Sequence, residues 1–393
     1  MYESDIGRSG WDMKRGERAE VQQADSGRGT PVIIGANLKV LATEPAALSR
    51  ELAARTDVLP AASDTWWERG LRKAGLPEFA RRSRHLRRAW ALFREAPRFS
   101  AIVTLGDLEG VAFACLQRLR GRRRPVHVMQ DCLWYGGGWL HRAWMRFCLG
   151  RVDRCIVWAS VEQQRYARAY GVSPERFLYV PHHYTLKRYV FEVGDEGYVF
   201  TGGNADRDYG LFFSAVRDLP TPCMLATNRP QLLAGLVVPP NVRVVSVSPA
   251  EFRQLMARAR LVVMPMRATL LHAGGQQTVL NAMVMGKPVV LTDPEGGADY
   301  IENGKTGLLV PYGDARALRE AVQYLMDHPE EAQAMGEQAQ RATTPLTTER
   351  CNVTIWGHAL RLAGEIRPAA APLVTEPAGS GKDGVVDPMI EPR

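Results

Sequence analysis

No apolar run in this 393-residue chain reaches the roughly eighteen residues that a membrane-spanning helix needs. Residues 1–30 are polar, glycine-rich and mixed in charge. They lack the apolar core of a secretory signal, so a cytoplasmic location is the expectation. The six cysteines, Cys115, Cys132, Cys148, Cys155, Cys223 and Cys351, include no C-x-x-C pair. They read as reduced, mostly buried thiols, neither a disulfide framework nor a zinc site. No G-x-G-x-x-G joins a first strand to a first helix, which argues against a dinucleotide-dependent dehydrogenase. Lysine is missing from residues 81–124, where twelve arginines face only Glu95, Asp107 and Glu109. The segment therefore carries the chain's whole positive excess and asks for an anionic partner. No zinc finger, RNA-recognition signature or helix-turn-helix accompanies it, so nucleic acid is not the expected partner.

What is present begins with hydrophobic content of 46%, enough for packed cores. Strand-like and helix-like segments alternate along most of the chain, which predicts parallel sheets covered by helices on both faces. The first series starts with a short strand at Val32–Ile34 and a helical pattern from Trp66 to Arg94, with Phe79, Leu86, Trp90 and Phe93 on one stripe. It continues through a strand at Phe99–Leu105, a helix at Leu108–Leu119, strands at Pro125–Gln130 and Cys155–Ala159, and a helix N-capped by Ser160. A second series restarts at Tyr198, with strands near Cys223–Ala226, Val242–Val245, Leu261–Met264, Pro288–Leu291 and Leu308–Val310. The expected organisation is a disordered tail at 1–30, one domain at 31–184, a second at 185–346, a helix at 347–367 and a disordered tail at 368–393.

Two turns stand out as anion sites. Gly274 and Gly275 precede a helix running from Gln276, which stops at Gly286 and Pro288. A helix entered from a double glycine offers N–H groups and a positive dipole end, and a diphosphate suits both. Arg267, upstream, supplies a full charge. The second turn is Thr201-Gly202-Gly203-Asn204-Ala205-Asp206-Arg207-Asp208, at the end of a strand. Arg207 is the candidate phosphate or sugar contact there; a surface turn with an Arg207–Asp206 or Arg207–Asp208 pair is the plainer reading.

The run Ala273–Asp314, with its paired glycine turns and closing Gly-Leu-Leu-Val-Pro strand, resembles the nucleotide-sugar half of a retaining family-4 GT-B glycosyltransferase. The likeness extends over about residues 150–345, including Val152-Asp-Arg-Cys-Ile-Val-Trp-Ala-Ser, and is weak over 31–150. It implies an α/β GT-B fold of two doubly wound, Rossmann-like domains facing a cleft. The first binds the acceptor, the second binds the donor, and the last helix crosses back onto the first. It also implies a donor site at Gly202, Gly203, Arg207, Arg267, Gly274, Gly275, Gln276 and Asn281. The family's two glutamates fall on Ala273 and Asn281 here. A neutral amide at 281 gives hydrogen bonds of about 0.5–1.5 kcal/mol where a carboxylate gives about 1.5–3, which would weaken the donor grip about tenfold.

Ligands of open parallel sheets bind beyond the strands' carboxyl ends, which places Asp107 and Asp131 toward the cleft as candidate catalytic groups. Each would orient the acceptor hydroxyl and stabilise charge on the sugar while the leaving diphosphate takes the proton; each also fits a helix cap or loop turn. The implied partners are a nucleotide-diphosphate sugar, a glycan or lipid-linked acceptor from polysaccharide synthesis, and an anionic membrane surface met through residues 81–124. No cofactor or metal is implied, and His182-His183 lack the carboxylate partner that a metal site needs. Two alternatives stay open: a non-catalytic nucleotide-sugar-binding subunit, motivated by Ala273 and Asn281, and a nucleotide-sugar epimerase on the same fold.

Overall fold

The computed structural model describes residues 65–106, 108–121, 124–187, 189–268, 271–292 and 294–364. The expected tails, the strand Val32–Ile34 and Asp107 lie outside the described residues. In chain order the first unit contains α1 (Trp66–Lys73), α2 (Pro77–Glu95), β1 (Ala101–Leu105), α3 (Leu108–Leu116), β2 (Val126–Gln130), α4 (Trp139–Leu149), β3 (Arg154–Val157), α5 (Ser160–Tyr170) and β4 (Phe177–Tyr179). The second contains β5 (Val199–Gly202), α6 (Tyr209–Val216), β6 (Cys223–Ala226), β7 (Val242–Val245), α7 (Pro249–Arg258), β8 (Leu261–Met264), α8 (Gln276–Val284), β9 (Val289–Leu291), α9 (Pro294–Gly297), β10 (Leu308–Leu309), α10 (Ala315–Asp327) and α11 (Pro329–Thr343). α12 (Thr348–Leu362) follows.

All described strand pairs are parallel. The first sheet runs in the order β1-β2-β3-β4, and the second in the order β10-β9-β8-β5-β6-β7. Every residue of β5, β8 and β9 is buried, because helices cover both faces of the second sheet, and β8 and β9 are accordingly unbroken apolar sequences. Phe200, Met264, Val279 and Met283 fill one side, and Phe212, Phe213, Leu318 and Val322 the other. The strand order reverses between β5 and β8. Their carboxyl ends diverge there into separate loops and leave a crevice.

Helix α12 leaves the second unit and packs on β1 and β2 of the first sheet. Its Cys351, Ile355, Trp356 and Ala359 share a core with Ala101, Val103, Val128 and Ile156. The helical pattern from Trp66 to Arg94 is two helices rather than one. Gly75 at φ 76 turns the chain left-handed, and Pro77, lacking an N–H, starts the second helix. The apolar stripe of α2 points outward: Phe79, Leu86 and Trp90 are 62%, 50% and 52% exposed. The buried line of the helix is His85, Ala89 and Leu92.

Many arginines of this region hold the first unit together. Arg87 pairs with the buried Glu68 at 2.8 Å, and Arg88 pairs with Glu109 at 3.1 Å. Arg124 grips Asp153 with two bonds of 2.6 and 2.9 Å. Arg118 and Arg120 stack on Phe147 and Phe93, 3.7 and 4.2 Å from the ring centroids. These two contacts join α2, the turn Gln117–Arg120 and α4 into one aromatic and basic surface. Trp144 stacks on Phe147 within it, and Leu119 of the turn and Trp139 and Leu140 of α4 are exposed as well.

Candidate active site

The crevice at the β5/β8 switch point holds both glycine turns. β5 ends at Gly202, and Gly203 follows at φ 131, a conformation closed to side chains. Gly275, at φ 82, is the N-cap of α8. Arg207 lies between the two turns, 5% exposed. Its Nε donates to the Gly202 carbonyl at 3.1 Å and an Nη to the Ala205 carbonyl at 2.9 Å. A Cβ built on Gly203 would lie 2.9 Å from the guanidinium, and one on Gly275 3.4 Å from it. The absence of a side chain at Gly203 is therefore what lets the cation sit against the first turn, and Gly275 brings the second turn within van der Waals reach of it. Arg267 is exposed, and its Nε donates to the Arg207 carbonyl at 3.1 Å, across the mouth of the first turn.

Gln276 opens α8 and is 8% exposed, with no partner for its Nε2 among the described residues. A buried amide donor without an acceptor is costly, and a ligand oxygen would relieve it. Asp208 is the N-cap of α6 and accepts from Leu211 N at 2.9 Å. Asn281 faces the linker between the two units: its Oδ1 accepts from Thr185 N at 2.8 Å, and its Nδ2 donates to Thr185 Oγ1 at 3.1 Å.

On the facing unit, Asp131 follows β2 with a left-handed φ of 54 and accepts from Trp158 Nε1 at 3.0 Å. The Trp158 ring stacks on His182 with centroids 4.5 Å apart. Burial drives the His182 imidazole down to about 3, with His183 adding to the effect, so it is neutral at physiological pH. Tyr300 from the second unit joins this group, since its hydroxyl donates to the Trp158 carbonyl and accepts from His182 N. The helix begins one residue earlier than a Ser160 cap requires, with Ala159 as N-cap. Asp299 Oδ2 meets Ser160 N at 2.6 Å, so a carboxylate of the second unit sits at the N-terminus of α5. Arg165 of α5 pairs with Glu295 close by.

Tyr135, Glu162 and His272, which sequence reasoning passed over, also meet between the units, together with Asp206, which it read only as a partner for Arg207. Asp206, at φ 59, lies 3.4 Å from His272 Nε2, and Tyr135 Oη donates to the same carboxylate at 3.4 Å. The hydrogen bond from His272 holds the Asp206 carboxyl below its ordinary range. Glu162, in the first turn of α5, accepts from Trp158 N, Ala159 N and, across the interface, Ala273 N. Burial pushes its carboxyl up to about 7 despite those three donors. Glu162 stands three places after the N-cap Ala159, which has no capping side chain, so neither its local role nor its reach to residue 273 was visible in the sequence.

Two parallel sheets, a switch-point crevice with paired glycine turns, and a helix crossing back define a GT-B protein. The likeness to solved structures agrees. A protein of Anabaena, HepE, solved in complex with UDP and glucose, superposes with a TM-score of 0.58 at 13% identity, covering 86% of this chain and all of that one. The family profile described as "Glycosyl transferases group 1" matches residues 221–328, all within the second unit. A D-rhamnosyltransferase of Pseudomonas aeruginosa is 35% identical over 72 residues, 18% of this chain and 19% of that protein. An alpha-D-kanosaminyltransferase of Streptomyces kanamyceticus is 32% identical over 113 residues, 29% of this chain and 27% of that protein. The chain thus aligns with about a fifth to a quarter of the curated relatives' length.

Proposed function

We propose that this chain is a retaining glycosyltransferase that moves a sugar from a nucleotide-diphosphate donor to a glycan or lipid-linked acceptor, in cell-envelope polysaccharide or glycoconjugate synthesis. The observation that carries the reading is the buried Arg207 guanidinium between the Gly202–Gly203 and Gly275 turns, beside the start of α8. A diphosphate in that crevice would accept N–H bonds from the helix end, lie near two arginines and satisfy Gln276 Nε2. Arg207, Arg267 and the helix dipole are cationic enough that the proposed reaction calls for no metal. The sugar would then face Asp131 across the cleft, where a carboxylate can orient an acceptor hydroxyl and stabilise positive charge at the anomeric carbon. The leaving diphosphate would take the acceptor's proton. Asp107 is proposed for the same task on sequence grounds.

The outward apolar stripe of α2, the exposed Trp139, Leu140 and Trp144 of α4, and the arginines between them support peripheral contact with an anionic bilayer at the cytoplasmic face. Among the described residues no helix is long and apolar enough to cross a membrane. A second reading, a non-catalytic nucleotide-sugar-binding subunit, is favoured by one observation: the Asn281 amide is already engaged by Thr185.

Isothermal titration with UDP, GDP, ADP and TDP tests the reading, beside Arg267→Ala. Micromolar binding of one nucleotide, weakened at least tenfold in the variant, is the expected result. No binding of any of the four would sink the donor site. Binding without sugar transfer to any acceptor fraction would favour the second reading.

A further inference from the structure

Glu162 has a task beyond capping its own helix. Its side chain is 1% exposed, and its two oxygens divide their work. Oε2 accepts from Trp158 N at 2.8 Å and Ala159 N at 3.0 Å, at the start of α5. Oε1 reaches the other unit and accepts from Ala273 N at 2.7 Å. Ala273 stands two residues before the N-cap of α8 and is itself 1% exposed. Its neighbours are docked on the same side of the cleft. Leu271 packs against the first unit's core beside Gly136, and the His272 ring meets Tyr135 edge-on at 4.7 Å. Three consecutive residues of the segment leading into the glycine turn are therefore held by the facing unit, and the Ala273 bond is the only contact from a carboxyl group to its backbone among the described residues.

We propose that Glu162 is a positioning residue for the donor site, fixing the Gly274–Gly275 turn and the start of α8 through the Ala273 amide and so coupling donor binding to the approach of the two units. This rests on the reading of the crevice as a nucleotide-sugar site. The forked reach explains the choice of glutamate. An aspartate at this position can still cap α5, but its carboxylate stops about 1.5 Å short, one C–C bond, and loses Ala273.

The test is residue-resolved amide exchange and nucleotide titration on the full chain for wild type, Glu162→Asp and Glu162→Ala, using UDP, GDP, ADP and TDP as probes. In Glu162→Asp the Ala273 amide should exchange at least tenfold faster while Trp158 and Ala159 stay protected. The affinity for whichever nucleotide binds wild type should fall about tenfold. Glu162→Ala should lose protection at all three amides. Unchanged exchange at Ala273 in Glu162→Asp overturns the proposal. So does faster exchange with unchanged nucleotide affinity, which would leave a tether with no bearing on the donor. Equal loss at Trp158, Ala159 and Ala273 in Glu162→Asp would also overturn it, because the tether to Ala273 would then not be separable from the cap of α5. If wild type binds none of the four nucleotides, the donor-site reading fails and the coupling with it, while exchange at Ala273 still decides whether the tether exists.

Discussion

Tyr300→Phe removes one oxygen from the junction between the two units, and its cost can be worked from the bonds lost. The hydroxyl donates to the Trp158 carbonyl and accepts from His182 N at 2.9 Å, and Tyr300 is 9% exposed. Phenylalanine fills the same space, so no cavity forms and the change is almost purely polar. It strands a buried carbonyl and a half-buried N–H, each costing up to about 1–3 kcal/mol when unsatisfied, the N–H less because water can reach it. With partial relaxation the expected loss is about 2–4 kcal/mol. For a protein of this size that lowers the unfolding midpoint by roughly 5–10 °C. Thermal unfolding followed by tryptophan fluorescence suits the measurement, because Trp158 sits at the altered contact. Two domains need not unfold together, so the earlier transition is the one that should move. Tyr324→Phe is the control: it loses an exposed bond to Glu331 and should cost under about 1 kcal/mol. A Tyr300→Phe midpoint within about 2 °C of wild type would refute the view that this hydroxyl bridges the units.

Trp356→Ala empties a fully buried site between α12 and the first sheet and should cost about 3–5 kcal/mol, read by the same unfolding curve. Glu162→Gln should alter the pH dependence of stability in a defined direction. The folded pKa of about 7 lies above the ordinary 4.5, so the glutamate's contribution is fully present below pH 4.5 and is lost as pH rises through 7. The loss amounts to about 3 kcal/mol. His127 and His182, both driven to about 3 by burial, act in the opposite sense below pH 6.5, so the test is the difference between variant and wild type at pH 5 and pH 8. Trp90→Ser with Trp144→Ser should leave stability within about 1 kcal/mol, because both side chains are about half exposed. The pair should nevertheless lower sedimentation with phosphatidylglycerol vesicles at least fivefold; unchanged sedimentation would end the membrane reading.

The site was legible wherever it depends on local chemistry. Gly274-Gly275 before an apolar-striped helix, and Gly202-Gly203 after an apolar strand, announce two anion-ready turns because glycine and helix N-termini behave that way in any fold. What Arg207 does was not legible. Its neighbours in sequence suggested an ion pair with Asp206 or Asp208, yet Asp208 caps α6, Asp206 turns to His272, and the guanidinium meets carbonyls of its own turn. The stripe on α2 shows the opposite failure. A 3.6-residue period identifies an apolar face but carries no information about which way that face points, and here smaller residues, Ala89 and Leu92, take the core.

By itself the sequence determined the alternation of strands and helices, and with it a doubly wound α/β fold, because each element's period and stop signals are short-range. It also determined that a large positive charge gathers in one segment. Only the tertiary structure decided which strands neighbour one another, and so where the switch-point crevice opens. It alone brought Glu162 to Ala273, Asp299 to Ser160 and Tyr300 to Trp158, pairs more than a hundred residues apart. A carboxylate's reach is fixed by its side chain, but the donor it finds is fixed by the packing of two domains.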